Sequence, residues 1–206
     1  MLIVNCAASG AAESNAYIVG DGVRAVIIDA GAKASDIFRM AKDSGMRPEM
    51  ALITHCHFDH IEYLDELRAA FGIPAYMHAD DALGLADPYV SGAALYGSAK
   101  GFRPPDGTLA DGEAIRAGSL EFIALHTPGH TPGGLCFLCG DTLFTGDTLF
   151  KGSVGRTDLP GGDTRTLLMS IHTKIMARED GVVVYPGHGD ATTIGEERRA
   201  NPFLRI

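Results

Sequence analysis

His55-Cys56-His57-Phe58-Asp59-His60 places three histidines and an aspartate within six consecutive residues. The apolar run 50–53 that precedes this stretch is typical of a buried strand. After it, Ile61, Leu64 and Leu67 have helical spacing. The stretch is therefore predicted to lie where a strand is followed by a helix. Side chains at such a junction are held by regular structure and remain open to solvent and substrate.

The spacing within this stretch is typical of metal ligands. In an extended segment His55 and His57 project to the same side and can share one ion. The turn that follows brings Asp59 and His60 around at the start of the helix, where they suit a second ion beside the first. Imidazole and carboxylate ligands without a thiolate favour zinc, iron or manganese in a catalytic setting.

Three later turns each carry one more candidate ligand. Each turn contains Gly or Pro and follows an apolar run that predicts a strand. These candidates are His130 after the run 122–125, Asp147 after 143–144 and His188 after 182–185. Four strand ends together supply five histidines and two aspartates, which predicts a site for two metal ions.

The order of these ligands resembles that of the metallo-β-lactamase-fold hydrolases. The length of 206 residues fits one domain, residues 1–206. The resemblance implies an α/β fold, a four-layered αββα sandwich with the metals at one edge of its two sheets. It also implies a ligand assignment: the first ion on His55, His57 and His130, the second on Asp59, His60 and His188, and Asp147 between the two.

Within that superfamily, four segments resemble the glyoxalase II (hydroxyacylglutathione hydrolase) branch, the last of them its short bacterial members: 146–150, 155–158, 185–189 and 192–204. The resemblance implies hydrolysis of a thioester of the S-lactoylglutathione type by a hydroxide that bridges two divalent metal ions. Zinc is the first expectation for these ions, with iron or manganese as the other candidates. Asp59 and Asp147 are the predicted catalytic residues. A thioester suits such a site because its thiolate leaving group needs little acid assistance.

A glycine-rich loop, residues 151–162, follows Asp147 in the sequence. Loops of this length beside a site are often functional. By resemblance, Arg156 falls near a basic residue that contacts the glutathione part of the substrate. Arg156 and Lys151 are therefore predicted to bind substrate, and an ion pair between Arg156 and Asp158 is the structural alternative.

Two features depart from the glyoxalase II pattern. Glu62 stands where the family usually has glycine, and it adds negative charge near the predicted site. Full-length glyoxalase II also has a helical C-terminal extension that supplies much of the glutathione pocket, whereas this sequence ends shortly after His188. We therefore expect S-lactoylglutathione to be hydrolysed with a high KM and a measurable kcat.

Other functions remain open on the sequence. A mononuclear iron persulfide dioxygenase of the same fold would use only His55, His130 and Asp147. A module that keeps the metal site without turnover, and a secreted β-lactamase, are further alternatives. One iron against two zinc ions would separate the dioxygenase from the thioesterase.

The charge and hydropathy of the sequence argue against nucleic acid and membrane as partners. The net charge of −9 argues against nucleic acid, which requires clustered Lys and Arg. No apolar run approaches transmembrane length, and the first residues lack the features of a signal peptide, so we predict a cytoplasmic protein with no membrane partner.

Cys136 and Cys139 form a Cys-x-x-Cys within a predicted strand, where positions three apart face opposite ways, and this indicates core packing. The oligomeric state stays open.

Overall fold

The computed structural model describes residues 2–10 and 12–205, which form two six-stranded sheets flanked by helices. In the first sheet β1, β2 and β3 are antiparallel, and β3 to β6 are parallel. The strands lie side by side in chain order: β1 (Ile3–Ala8), β2 (Asn15–Gly20), β3 (Arg24–Ile28), β4 (Arg47–Leu52), β5 (Ala75–Met77) and β6 (Gly107–Thr108).

The second sheet has the strand order β14-β13-β10-β9-β8-β7, and a separate two-stranded hairpin joins β11 to β12. The chain runs antiparallel from β7 to β10, and β13 then pairs parallel to β10. These strands are β7 (Ala114–Ala117), β8 (Leu120–His126), β9 (Leu135–Cys139), β10 (Thr142–Gly146), β11 (Leu149–Phe150), β12 (Ser153–Val154), β13 (Val183–Pro186) and β14 (Thr192–Thr193).

The helices are short, and several of them begin or end at recognisable caps. At the start of α5 and α6, Asp163 and Thr193 accept hydrogen bonds from backbone N–H groups of the first turn, and α1 ends at Gly45 with a left-handed φ of 68°. The helices are α1 (Ala34–Ser44), α2 (Phe58–Ile61), α3 (Leu64–Phe71), α4 (Ala79–Ala82), α5 (Thr164–Ser170) and α6 (Ile194–Ala200). Shorter turns follow at Leu83–Leu85, Ala93–Tyr96 and Pro202–Leu204, and a π-helical turn at Ile171–Ile175.

Alternation along the strands sorts the apolar residues into three layers. In β3, Ala25 and Ile27 face the helices α1 and α3, whereas Val26 and Ile28 face the space between the sheets. The second sheet also has two apolar faces. Residues such as Phe137 face the space between the sheets, and the outer face packs on α5 and α6. The four layers are therefore helix, sheet, sheet, helix, which confirms the predicted fold.

Three segments of the chain are locally irregular. Residues 79–100 form only α4 and two single turns, since Pro88, Gly92 and Gly97 interrupt a longer helix. The glycine-rich loop contains β12, because it folds back on β11. After Ser170, α5 continues as a π-helical turn. Among the described residues the longest helix is α1, with 11 residues, which is too short to cross a bilayer.

Candidate metal centre

The candidate ligands meet at one edge of the sandwich because the strands that precede them run in the same direction. The first ligands, His55 and His57, follow β4; the loop after β8 carries His130, the end of β10 leads to Asp147, and β13 leads to His188. Within the second sheet β8, β10 and β13 are mutually parallel, so their carboxyl ends share an edge. The backbone stays extended through His57, and α2 begins at Phe58.

Three histidines form the first ligand group. The ligand nitrogens of His55, His57 and His130 lie within 4.8 Å of one another, and all three side chains are buried. His57 Nδ1 and His130 Nε2 are 2.8 Å apart. Residues that are 73 positions apart in sequence therefore present their ring nitrogens to one point.

The second group consists of Asp59, His60 and His188, whose ligand atoms also lie within 4.8 Å of one another. Asp59 Oδ2 is 3.1 Å from His188 Nε2 and 3.7 Å from His60 Nε2. Asp59 and His60 are consecutive residues of α2, and their ligand atoms lie beside that of His188, which follows β13.

Asp147 lies between the two groups. One of its carboxylate oxygens is 3.2 Å from His60 Nε2, and the other is 3.6 Å from His130 Nε2 and 3.7 Å from His188 Nε2. A carboxylate that reaches ligands of both groups suits a bridging position between two ions.

Hydrogen bonds at the outer nitrogen fix the orientation of three imidazoles. His130 Nδ1–H donates to the carbonyl of Arg156 at 2.7 Å, His60 Nδ1–H donates to Asp29 at 2.8 Å, and His55 Nδ1 lies 3.0 Å from Thr54 Oγ1. Each bond holds the ring so that Nε2 faces the centre, as the outer partners of metal-binding histidines do.

The Nε2 atoms that face the centre indicate whether a metal ion fits there. His55 Nε2 and His60 Nε2 are buried and have no hydrogen-bond partner within the described part of the chain. A buried polar atom without a partner costs about 1–3 kcal/mol. Metal ions at the centre of the ligand set would satisfy both atoms, and imidazole with carboxylate is a donor set that divalent metals accept. The residues present therefore fit a divalent metal centre.

The electrostatics of the centre favour the metal-binding forms of His55, His57 and Asp147. Burial, together with the neighbouring imidazoles of His60 and His130, holds the pKa of His55 well below its ordinary value. Burial beside His130 lowers the pKa of His57 to about 3. Burial opposes ionisation of Asp147, but the charge of His60 outweighs it and holds the pKa of that carboxyl well below its usual range. Neutral imidazole and ionised carboxylate are the protonation states of ligands.

His60 differs from these three ligands. Burial lowers its pKa, but Asp147, Asp29 and Asp59 outweigh burial and hold the pKa well above its ordinary value. Metal binding at His60 therefore releases a proton.

Asp29 supports the second ligand group and was not recognised from the sequence. It accepts hydrogen bonds from the backbone N–H and the hydroxyl of Thr54, both at 2.8 Å, besides the bond from His60. Its φ of 59° is a left-handed conformation that a non-glycine residue adopts at a cost, and such residues cluster at functional sites. The acidic residue directly after the apolar strand β3 was the available signal.

Asp81 connects two ligand loops and was also missed. Its buried carboxylate accepts the N–H of Cys56, between the first two histidines, at 3.0 Å, and the N–H of Gly133, three residues after His130, at 2.6 Å. Nothing in its own sequence context, an acidic pair at the start of a short helix, distinguishes Asp81 from the exposed Asp80.

The loop of His188 is held from the first sheet. The side-chain amide of Asn15 donates to the carbonyls of Pro186 and Gly189, at 3.0 and 2.9 Å, and Tyr17 Oη donates to Pro186 at 2.6 Å. A Cβ at Gly187 would lie 2.2 Å from Asp147 Oδ1, so only glycine allows the backbone to approach the centre this closely.

The predicted substrate contacts lie in different places. Arg156 lines the open cleft above the ligands and forms a two-point ion pair with Asp158, with both distances 2.7 Å. Lys151 lies outside that lining, 3.7 Å from Asp190. Glu62 is likewise absent from the described lining of the cleft. Substrate binding by Arg156 and Lys151 stays a prediction.

The cysteines serve the core. Cys136 faces the helices on the outer side of the second sheet, and Cys139 faces the space between the sheets, so the Cys-x-x-Cys pair points in opposite directions. Cys56 is buried against the helical layer of the first sheet and points away from the ligands. The four cysteines form no disulfide among the described residues.

A further polar cluster lies away from the centre, where β5 and β8 end. The rings of His78 and His126 stack at 3.9 Å with an interplanar angle of 6°, and Asp80 lies beside them. Parallel rings direct their lone pairs in parallel planes rather than to one point, so this arrangement does not form a ready metal site.

Comparison with known proteins identifies the family. The model of the metallo-beta-lactamase superfamily matches residues 10–188. The chain belongs to the metallo-β-lactamase superfamily. The matched range contains every candidate ligand from His55 to His188.

Individual members of the superfamily match nearly the whole chain. The probable metallo-hydrolase YqgX of Bacillus subtilis is 36% identical over 95% of this chain and 94% of its own length. The hydroxyacylglutathione hydrolase GloC of Haemophilus influenzae is 35% identical over 93% of both chains. The chain is thus a member of a group of metallo-hydrolases, and its similarity to GloC supports a relation to glyoxalase II.

Solved structures match from more than one branch. BLEG-1, a B3 metallo-β-lactamase, aligns with a TM-score of 0.94 at 39% identity, covering 98% of this chain and 99% of its own. TTHA1623 in a di-iron-bound form aligns at 0.84 and 36% identity, covering 99% and 100%. ETHE1 from Myxococcus xanthus aligns at 0.78 and 27% identity, covering 98% and 83%. The ligand geometry and these relatives agree on a centre for divalent metals and leave the metal and the reaction open.

Proposed function

We propose that this protein is a metal-dependent thioester hydrolase with two divalent ions, most simply zinc, in the cleft at the sheet edge. The observation that carries the proposal is the position of Asp147, whose carboxylate lies 3.2–3.7 Å from ligand nitrogens of both groups. Seven ligands exceed the coordination of a single ion with ordinary geometry, and Asp147 links them into one centre.

Two ions held by these residues would supply a water of lowered pKa and polarise the substrate carbonyl. The chain supplies the remaining functions. Asp59 lines the cleft, and its carboxylate would accept a hydrogen bond from the attacking water and orient that water towards the carbonyl. Asp147 holds its charge at the floor of the cleft, where neutral His55 and His57 surround it.

The described lining of the cleft offers no good proton donor, and this favours a thiolate as the leaving group. Within the described lining, apart from the ligand residues, the titratable side chains are Tyr96 and Arg156, and Arg156 is held by Asp158. Burial raises the pKa of Tyr96, and Asp59 raises it further, so its phenol is a poor proton donor. A thiolate leaves without a proton, whereas an amide nitrogen requires one. The similarity to GloC is in accord with a thioester.

Similarity to solved structures supports two other candidate activities. The similarity to ETHE1 favours an iron-dependent persulfide dioxygenase that uses His55, His130 and Asp147. The similarity to BLEG-1 favours cleavage of the strained amide of a β-lactam, which depends less on leaving-group protonation than an ordinary amide. Both would use the same cleft.

One set of assays separates the three activities. Protein stripped of metal is reloaded with zinc or iron, its metal content is measured, and each form is assayed with S-lactoylglutathione, with a chromogenic cephalosporin, and with glutathione persulfide in an oxygen electrode. We expect about two metals per chain and thioester hydrolysis as the main activity. Oxygen consumption by a one-iron form without thioester hydrolysis would replace the proposal with the dioxygenase.

A further inference from the structure

The cleft above the candidate ligands has a volume of about 390 Å³, within the range of small-molecule sites. Its walls beyond the ligands are mainly apolar. The apolar and aromatic residues of these walls are Ala12, Leu95, Tyr96, Phe150, Val154 and Leu159, and Ser91, Gly92 and Arg156 complete the walls. Among the described lining residues, Arg156 is the single side chain with a permanent positive charge.

One wall of the cleft continues onto the surface as an apolar lip, defined here as residues 83–96. Five of the eight large hydrophobic side chains that are exposed in the described chain lie in this lip. Leu95 and Tyr96, which also line the cleft, are 70% and 46% exposed. Clustered exposed apolar side chains mark binding surfaces rather than ordinary protein surface.

The lip is attached to the metal loop rather than free. Phe58, the first residue of α2, donates its backbone N–H to the carbonyl of Ser91 at 2.7 Å, and its ring lies 5.5 Å from the ring of Tyr96. Phe58 directly precedes Asp59. The aromatic face of Tyr96 is therefore positioned relative to the ligands by a hydrogen bond and a ring contact.

The charges near the cleft do not suit a polyanionic thiol. Arg156 is paired with Asp158, and Lys151 lies 3.7 Å from Asp190. Lys100 donates to the carbonyl of Glu62 and lies over the ring of Phe102. Glutathione carries two carboxylates and one ammonium group. Of the three cations, only Arg156 belongs to the described lining of the cleft, and Asp158 offsets its charge there.

We infer that the thioester cleaved in this cleft carries an apolar arm, an uncharged alkyl or aryl thiol, that lies along Leu95 and Tyr96. The inference rests on the proposed thioester hydrolysis and specifies its substrate class. Burial of an apolar surface as large as one aromatic side chain contributes about 1.5–3 kcal/mol to binding. This corresponds to a kcat/KM about 10-fold to 150-fold higher than for a thioester whose arm buries no such surface.

The kinetic test compares two thioesters that share an acyl group, S-lactoylglutathione and the lactoyl thioester of benzyl mercaptan, on the zinc-loaded protein. We expect kcat/KM to be at least about tenfold higher for the benzyl thioester. Leu95→Ser and Tyr96→Ser should reduce that ratio through KM. Val23→Ser, which alters an exposed hydrophobic residue outside the cleft lining, should leave the ratio unchanged. Equal kcat/KM values would overturn the inference while thioester hydrolysis stands.

A binding test separates the substrate class from the reaction. S-(Carboxymethyl)glutathione and (benzylthio)acetic acid are thioethers with the same carboxymethyl group, and neither can be hydrolysed as a thioester. Calorimetry on the zinc-loaded protein should give the tighter Kd for the benzyl compound. That result without hydrolysis of either thioester would refute the proposed reaction and support the apolar cleft. Tighter binding of the glutathione compound would overturn the inference.

A second copy of the chain is the competing occupant of the lip. Sedimentation equilibrium of the wild type and Leu95→Ser distinguishes it. We expect the same oligomeric state for both proteins. A dimer that Leu95→Ser dissociates, with no change in the preference between the two thioesters, would assign the lip to self-association and overturn the inference.

Discussion

At the scale of single residues, Asp147 has the largest predicted effect on the centre. Its two oxygens face ligands of different groups, so its loss should affect both ions rather than one. His55, His60 and His130 face the centre with Nε2 only because partners hold the opposite nitrogen. The chemistry of a ligand is thus set jointly by the side chain and by the group behind it.

Asp147→Ala should lose metal and activity together. Removal of the carboxylate leaves His60 and His130 without the charge that lies between them, and both ions lose a ligand. Metal content after dialysis and hydrolysis of a thioester measure the effect. Asp43→Asn, an exposed carboxylate in α1, should retain both. Two metals per chain and near-normal turnover in Asp147→Ala would show that this aspartate is misassigned.

Asp81→Ala should weaken metal binding although Asp81 does not face the metals. Its carboxylate accepts the N–H groups of Cys56 and Gly133, and outer partners of this kind are worth about 10-fold to 100-fold in metal affinity or activity. Competition with a coloured chelator measures the affinity, and hydrogen exchange at the Cys56 amide reports the lost bond. Asp80→Ala at the exposed neighbour is the matched control. Unchanged affinity with faster Cys56 exchange would restrict Asp81 to a structural role.

At the scale of elements, the site depends on strand ends that share a direction and on short caps that fix the loops between them. The stacked rings of His78 and His126 join the ends of β5 and β8 in the same way. His126 Nε2–H donates to the carbonyl of Pro132, which connects this stack to the loop of His130. The stack is therefore a point where acid should weaken the contact between the two sheets.

The free energy of unfolding should decrease as the pH falls below about 6.5, because the unfolded chain then binds a proton at His78 that the folded protein does not. Burial, followed by the charge of His126, lowers the pKa of His78 below its ordinary value of 6.5. Between the lowered folded pKa and 6.5, unfolding takes up a proton, so the free energy of unfolding decreases as the pH falls through that window. His126→Gln should make the decrease between pH 7 and pH 5 smaller.

Urea unfolding of metal-free protein at the two pH values measures this difference. Protonation of the metal ligands acts equally on the wild type and the variant, and it cancels in the comparison. His172→Gln, in the π-helical turn after α5, is the control and should show the wild-type decrease. Identical pH dependence in His126→Gln and wild type would contradict the coupling between the two rings.

At the scale of the whole molecule, the centre exists because two sheets pack face to face and bring their edges together. Phe144 lies fully buried between them, with its ring 5.4 Å from those of Tyr17 and Tyr185. Tyr17 belongs to the first sheet and Tyr185 to the second, and Tyr17 also holds the loop of His188 through Pro186. Packing between the sheets and positioning of the ligands therefore share residues.

Phe144→Ala should destabilise the protein by about 3–5 kcal/mol, because it removes a large buried ring and leaves a cavity between the sheets. Phe203→Ala, at a ring that is 54% exposed, should change stability by less than about 1 kcal/mol. Urea denaturation of the metal-loaded proteins gives both values. Equal small effects would mean that the sheets pack more loosely than the structure shows.

The sequence by itself determined the local features: the apolar run 50–53 that predicts a strand before the ligands, and the spacing that makes His55 and His57 candidate ligands. These follow from short runs of residue types and from the directions of neighbouring side chains. The superfamily and its four-layered fold were predicted from the resemblance of the ligand order to a known family, and the comparisons confirm both. The glyoxalase II branch and the reaction remain a proposal.

Only the tertiary structure decided which distant groups meet. Asp29 and Asp81 resemble surface aspartates in the sequence, since their partners lie 25 or more residues away. Two-residue strands such as β6 and β14 carry no periodic signal and form because neighbouring strands offer free hydrogen-bonding groups. Leu95 and Tyr96 look like core residues in the sequence and are exposed because no other described segment covers them. Pairing and exposure are properties of the assembled chain, and local patterns do not contain them.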